Sequence, residues 1–291
     1  NDKIILTLNS DPSVVFECTI TSVTDLSATF TLPAGVSSGL YKITVTRGVN
    51  SLSLGSLTIN IVVNANIPDI EGMTIKGVVY SDGVGIPGVV VSDGFEVTVT
   101  DNNGFYYLPS QKKHGYVFIS LPGNYEVAYS NNAPQFYKRV AGGTGVEQRD
   151  FSLISTNNSN HVVIAAADWH LANRNDDLLQ FGNWMLSDMN SLISDYSSAG
   201  KKVYVLALGD MTWEVYWHEN NFSLPNYLLQ THRINAPVFN TMGNHDNDPY
   251  VANDWLAEAA YRQHIGPTYY SFNLGSVHYV VLDNKIGRAH V

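Results

Sequence analysis

Up to about residue 152, apolar and polar positions alternate in short runs rich in Val, Ile, Thr and Tyr, broken every few residues by Gly, Pro, Asn or Asp. A two-residue period predicts strands with one buried face. No stretch in this half keeps the 3.6-residue period of a helix, so all-β sandwich modules are expected. The polar stretch NANIPDIEG at 64–72 reads as a linker, which divides the half into a module over 1–66 and a second over 71–152. In the second, the Gly85–Gly88 corner and the Asp101–Gly104 turn are punctuation, and the latter offers the positive-φ positions of a tight hairpin.

After the polar connector STNNSN (155–160) the pattern changes to alternating strands and helices, and an α/β layered domain is expected over 159–284. HVVIAAA (161–167) is a continuous apolar run, as expected of a strand covered on both faces. KVYVLAL (202–208), APVFNTM (236–242) and SVHYVVLD (276–283) read as three further buried strands. Between the first two, residues 176–199 place Leu178, Leu179, Trp184, Met185, Leu192, Ile193 and Tyr196 at helical spacing. Asp176 and Asp177 in the first turn and Gly200 just past the end suit the two ends of one helix.

The candidate chemistry stands where these apolar runs stop. The first is followed by Asp168-Trp169-His170, the second by Gly209-Asp210 and the third by Gly243-Asn244-His245-Asp246. Open α/β sheets place ligand sites at the carboxyl ends of their strands, so three clusters are expected to converge on one edge. Carboxylates and imidazoles bind Fe, Zn or Mn, and an Asn amide oxygen suits a second, harder position. Asp210, between the other two clusters, is the candidate bridge of a metal pair. Such a pair clamps a phosphoryl group and turns a bridging water into a nucleophile.

Composition narrows the field further. The 291 residues exceed one compact core, and 44% hydrophobic content without a bilayer-length apolar run reads as a soluble globular chain with no transmembrane segment. With 16 basic against 26 acidic residues and a net charge of −10, no nucleic-acid scaffold is expected, whereas a small phosphate ester held through metal ions is compatible. A single cysteine, Cys18, excludes an intramolecular disulfide and a Cys-based zinc site. The chain opens in KIILTLNS without Met or a signal segment, and is expected to be a fragment or a processed chain.

Asp168-x-His170, Gly209-Asp210 and Gly243-Asn244-His245-Asp246 resemble the successive motifs of the calcineurin-like metallophosphoesterases over roughly residues 161–284. The resemblance implies that Asp168 and His170 hold a first metal, that Asp210 bridges and that Asn244 holds the second. It further implies that His245 acts as general acid towards the leaving-group oxygen, with Asp246 orienting its imidazole. FTLPAGVSSGLYKITVTRG (30–48) is similar to the later part of an Ig-like TIG (IPT) domain. Residues 75–108 are similar to the carboxypeptidase-regulatory-like sandwich, or to the N-terminal β-sandwich of metallophosphoesterases. The order of modules is similar to multidomain members from gut Bacteroidota. The expected fold is therefore multidomain: two N-terminal all-β sandwich modules, then a partial α/β calcineurin-like phosphoesterase domain, a β-sandwich flanked by helices. A periplasmic, outer-membrane-anchored or extracellular location and possible cell-surface attachment are implied by that resemblance; the oligomeric state is left open.

The family pattern continues after VVLDN with another ligand His and a Gly-His-x-His motif, whereas this chain ends at Val291. The terminal KIGRAHV (285–291) is what AAG ATC GGA AGA GCA CAC GTC encodes, a string similar to a common sequencing adapter. Residues 285–291, His290 included, are thus expected to be a library artefact on a truncated frame, with an incomplete metal site.

His114, His161, His218, His232, His264 and His278 have no partner at metal spacing and read as structural. Trp213, Tyr216 and Trp217 read equally as walls of a cleft or as cover for the core edge. Three functions remain: a dimetal hydrolase of phosphate mono- or diesters with the β modules as spacers or adhesive elements, a catalytically inactive surface scaffold, and a carbohydrate-adhesion protein. Phe105, Tyr106 and Tyr107 would serve the last, yet they alternate as a strand whose side chains pack.

Overall fold

The computed structural model describes residues 2–24, 27–33, 36, 39–48, 52–61 and 67–283. The terminal stretch 285–291 and residues 64–66 of the 64–72 linker lie outside the described residues.

Strands Lys3–Leu8, Val15–Val23, Ala28–Thr31, Gly39–Arg47 and Leu52–Ile61 form one antiparallel sheet, with Lys3–Leu8 at its centre. The alternation read from the sequence buries Ile4 and Leu6 against Tyr41, Ile43 and Cys18 on one face.

The next unit is a sandwich. One sheet contains Phe105–Leu108, Ile75–Ser81, Phe151–Ser155 and Tyr125–Glu126, the other Tyr137–Arg139, Tyr116–Ile119, Val90–Ser92 and Val97–Val99. Ile75, Val79, Tyr106 and Leu108 of the first meet Val91, Val117 and Ile119 of the second. The Asp101–Gly104 turn differs from the expected hairpin: the strands it joins pair with different neighbours, so it passes the chain from one sheet to the other. Only Gly104 takes a positive φ there, +76°, and a Cβ on it would collide with the Val79 carbonyl.

The third unit begins with a parallel sheet in the order His161–Ala166, Lys202–Ala207, Val238–Asn240. Its first strand has one neighbour in the sheet and is half-exposed as an edge strand, yet both faces are covered as expected: Val163 packs on one core and Ile164 and Ala166 on the other. The fourth apolar run departs from expectation. Val277–Val281 pairs antiparallel with Tyr270–Leu274 in a hairpin apart from the parallel sheet.

The 176–199 stretch is helical from Asp177 to Ser198, with a five-residue π turn, Phe181–Met185, set between α-helical segments. The wider turn changes which face meets the core. Phe181, Leu186, Met189 and Ile193 are buried, while Leu179, Trp184 and Leu192, expected inside, are exposed.

The sandwich is no spacer. Its core continues into the α/β unit through Tyr204, Phe239, Tyr270, Phe272 and Leu274. Phe239 and Phe272 stack with centroids 3.9 Å apart, and Phe136 lies 4.7 Å from Tyr270. Backbones join as well: Asn273 N–H donates to the Leu121 carbonyl (2.8 Å) and Val238 N–H to that of Asn132 (2.8 Å). This shared core holds the parallel sheet, and hence the strand ends, in place.

Candidate metal centre

Parallel register sets Ala166 beside Ala207 and Ala207 beside Asn240, so the three strands end together and their following loops meet. Those loops are tied backbone to backbone. Asp168 N–H donates to the Gly209 carbonyl (3.2 Å), His170 N–H to that of Asp210 (2.8 Å) and Leu171 N–H to that of Met211 (3.0 Å). Two glycines permit the approach of the third loop: a Cβ on Gly209 would lie 2.9 Å from Gly243 Cα, and one on Gly243 would collide with Asp210. Asp168, His170 and Asp210 all adopt positive φ, at 56°, 45° and 47°. Non-glycine residues held there carry backbone strain of order 1–3 kcal/mol each, a mark of sites fixed by their surroundings.

The geometry suits a cation. Ligand atoms of Asp168, His170 and Asp210 lie within 4.8 Å of one another. His170 Nε2 is 3.8 Å from Asp168 Oδ1 and 3.8 Å from Asp210 Oδ2, too far to hydrogen-bond. Donors bound to one ion at roughly 2.0–2.2 Å stand about 3–3.6 Å apart, so the set is a few tenths of an ångström wider than a filled site and closes on an ion by small side-chain movements, and its nitrogen and oxygen donors fit Zn, Fe or Mn. Asn244, exposed, opens the single turn Asn244–Asp246 beside Asp210, whose Oδ1 accepts the next N–H, that of His245, at 2.9 Å.

The ring of His245 lies 5.0 Å from that of His170, so it borders the same opening. Its Nδ1–H donates to Glu214 Oε2 at 2.7 Å, which leaves Nε2 as the nitrogen available to a reacting group. The carboxylate that orients His245 is therefore that of Glu214, not Asp246. Asp246 is fully buried and turned inward, where it accepts the backbone N–H groups of Met211 (3.2 Å), Thr212 (3.0 Å) and Gly243 (3.0 Å) and the Thr212 hydroxyl (3.2 Å). Burial pushes its carboxyl up to about 6, against the opposing pull of those donors. Asp246 ties the Asp210 loop to the Gly243 loop and is a structural brace.

Residues 161–288 match the family model described as calcineurin-like phosphoesterase, and residues 73–156 match that of the N terminal of calcineurin-like phosphoesterase. The chain belongs to the calcineurin-like phosphoesterase family. No curated protein and no solved structure matches it. The sandwich is thus the companion module of this family's phosphoesterase domain, consistent with the core the two share, whereas the N-terminal unit expected as a sandwich shows a single sheet among the described residues. A calcineurin-like phosphoesterase domain is that of a phosphoric ester hydrolase using divalent metals, and the Asp168–His170–Asp210 group is a candidate place for one.

Around this phosphoesterase site stand the aromatic residues whose role the sequence left open. Trp213 borders it directly, 5.5 Å from the His170 ring and 5.8 Å from that of His245. Trp217 instead turns into the core and donates its Nε1–H to Thr212 Oγ1 at 2.9 Å. The Arg174 guanidinium lies over Trp213 (4.8 Å) and Tyr216 (5.2 Å) and is paired with Asp177. Sequence reasoning missed Glu214 and Arg174. The available signal for Glu214 was an acid alone among Trp213, Val215, Tyr216 and Trp217, which burial obliges to find a partner. His161 and His278 are structural as expected: His161 meets Tyr279 Oη at 2.9 Å and His278 meets Asn273 Oδ1 at 2.8 Å.

Proposed function

We propose that this protein hydrolyses phosphate mono- or diesters of small molecules with two divalent ions, Fe, Zn or Mn. Asp168 and His170 hold the first ion, Asp210 contributes to both and Asn244 serves the second. Bound ions supply Lewis acidity and an activated water. His245 delivers a proton from Nε2 to the departing oxygen, and Glu214, through Nδ1, keeps the ring in the tautomer and orientation that this needs. Trp213 shields one side from solvent. The observation that carries the reading is the gap between His170 Nε2 and the two carboxylates, 3.8 Å on each side, beside the His245 ring. A net charge of −10 favours a substrate held through cations over one held by protein positive charge. Action outside the cytoplasm, with the N-terminal sheet as a TIG-like surface module, is part of the same proposal and rests on the module resemblance.

Hydrolysis of p-nitrophenyl phosphate and bis-p-nitrophenyl phosphate by the manganese-loaded chain tests the reading. Turnover of either ester, reduced at least about 10²-fold by His245→Ala, is expected. No turnover of either, or turnover untouched by His245→Ala, would move the assignment to a scaffold.

A further inference from the structure

A hollow of about 300 Å³ adjoins the metal residues, and His170 is part of its wall. Its other walls are Trp169, Arg174, Phe181, Trp184 and Met185, with the Gln180 side chain exposed at its rim. Three observations mark it as built for a flat ring. The first is the π turn, because Phe181, Trp184 and Met185 all belong to it. Such turns carry an energetic penalty and recur at functional sites. Here the turn presents Trp184, 66% exposed, at the hollow, although helical periodicity alone would put that side chain in the core. The second is charge. Arg174 lines the hollow with its guanidinium matched by Asp177, Nε and a terminal nitrogen each 3.0 Å from Oδ2, so it brings no unpaired charge there. The third is size: the hollow stands at the small end of ligand pockets, enough for one ring system.

Resting on the phosphoesterase reading, we infer that this hollow is the specificity pocket for the organic group of the ester, and that the group is a planar aromatic ring stacked on Trp184. Because the His170 ring belongs to both places, a substrate with its phosphoryl group at Asp168, His170 and Asp210 has its ester substituent within reach of the hollow. Face-on and edge-on contacts between rings add to the area buried, which sets the expected preference at about tenfold over a small alkyl group.

The test is calorimetric binding of phenylphosphonate, cyclohexylphosphonate and ethylphosphonate to the manganese-loaded chain, beside the Trp184→Ala variant. Trp184 is exposed, so its removal does not threaten the fold. Phenylphosphonate is expected to bind about tenfold tighter than ethylphosphonate, with cyclohexylphosphonate between them, and Trp184→Ala to bring the phenyl-to-ethyl ratio within about twofold of one. A ratio near one in the unchanged chain, a ratio that survives Trp184→Ala, or cyclohexyl binding as tight as phenyl overturns the aromatic pocket. If that happens while ethylphosphonate binds and p-nitrophenyl phosphate is hydrolysed, only this inference fails. No binding of any phosphonate together with no hydrolysis overturns the phosphoesterase reading and the pocket with it.

Discussion

Glu214 Oε2 accepts the Nδ1–H of His245 at 2.7 Å, from a carboxylate with no solvent exposure. A buried acid that holds one ring nitrogen fixes the proton there and leaves the other nitrogen for chemistry. Glu214→Gln is expected to lower kcat about 10²-fold, most strongly for esters with poor leaving groups. Glu214→Gln/His245→Ala is expected to be no slower than His245→Ala alone, because residues acting as a unit are not additive. Steady-state rates of the three variants check this; independent, multiplying losses would separate the two residues.

Gly243 touches Asp210 so closely that no side chain fits between them. Gly243→Ala is expected to push Asp210 out of place, weaken metal binding at least tenfold and cost about 1–3 kcal/mol of stability. Gly200→Ala is the control: its φ is +75° with nothing within 4 Å of a Cβ, so it costs about 1–2 kcal/mol and leaves metal affinity alone. Metal titration beside thermal melting distinguishes the two.

The Phe239–Phe272 stack lies inside the core shared by the sandwich and the α/β unit. These two units are therefore expected to unfold in one transition, with Phe272→Ala costing about 3–5 kcal/mol for both. Residues 159–291 expressed alone should be poorly soluble, because Phe239, Tyr270 and Phe272 lose their cover. A monomeric, cooperatively melting 159–291 product would show the core to be dispensable.

His114 belongs to the sandwich but lies between Phe95 and Tyr116 on that side and Trp255 and Tyr269 of the α/β unit. Burial first, and the Arg262 charge second, hold it below the ordinary histidine value of 6.5, while Asp93 pulls the other way. In the unfolded chain the ring gains its proton at a higher pH than in the folded one. Stability is therefore expected to be independent of this residue above about pH 6.5 and to fall as the pH drops below it, towards the lower folded value. His114→Gln should flatten that slope in chemical denaturation measured from pH 7.5 to 5; an unchanged slope would assign the dependence to other groups.

Asp168, His170, Asp210 and the Gly243–Asp246 cluster were legible because each interrupts an apolar run at its end, a local signal. The partner of His245 was not, since Glu214 lies 31 residues away and the pairing depends on how two loops fold over each other. Asp246 was misread for the same reason, its donors being mostly on the Asp210 loop. The helix over 177–198 was legible by period, but one wider turn leaves no trace in composition, and Trp184 changed faces through it. SVHYVVLD was legible as a strand. Its sheet was not, because its hairpin partner Tyr270–Leu274 is held by the sandwich backbone at Leu121 and Gly123.

The most direct measurement is the metal content of the purified chain after equilibration with manganese and desalting, beside Asp210→Asn. At least one tightly held ion per chain, lost or loosely held once Asp210 ceases to be an anionic ligand, is the expected result. No bound metal in the unchanged chain, or equal occupancy in Asp210→Asn, would contradict a metal centre built on Asp168, His170 and Asp210.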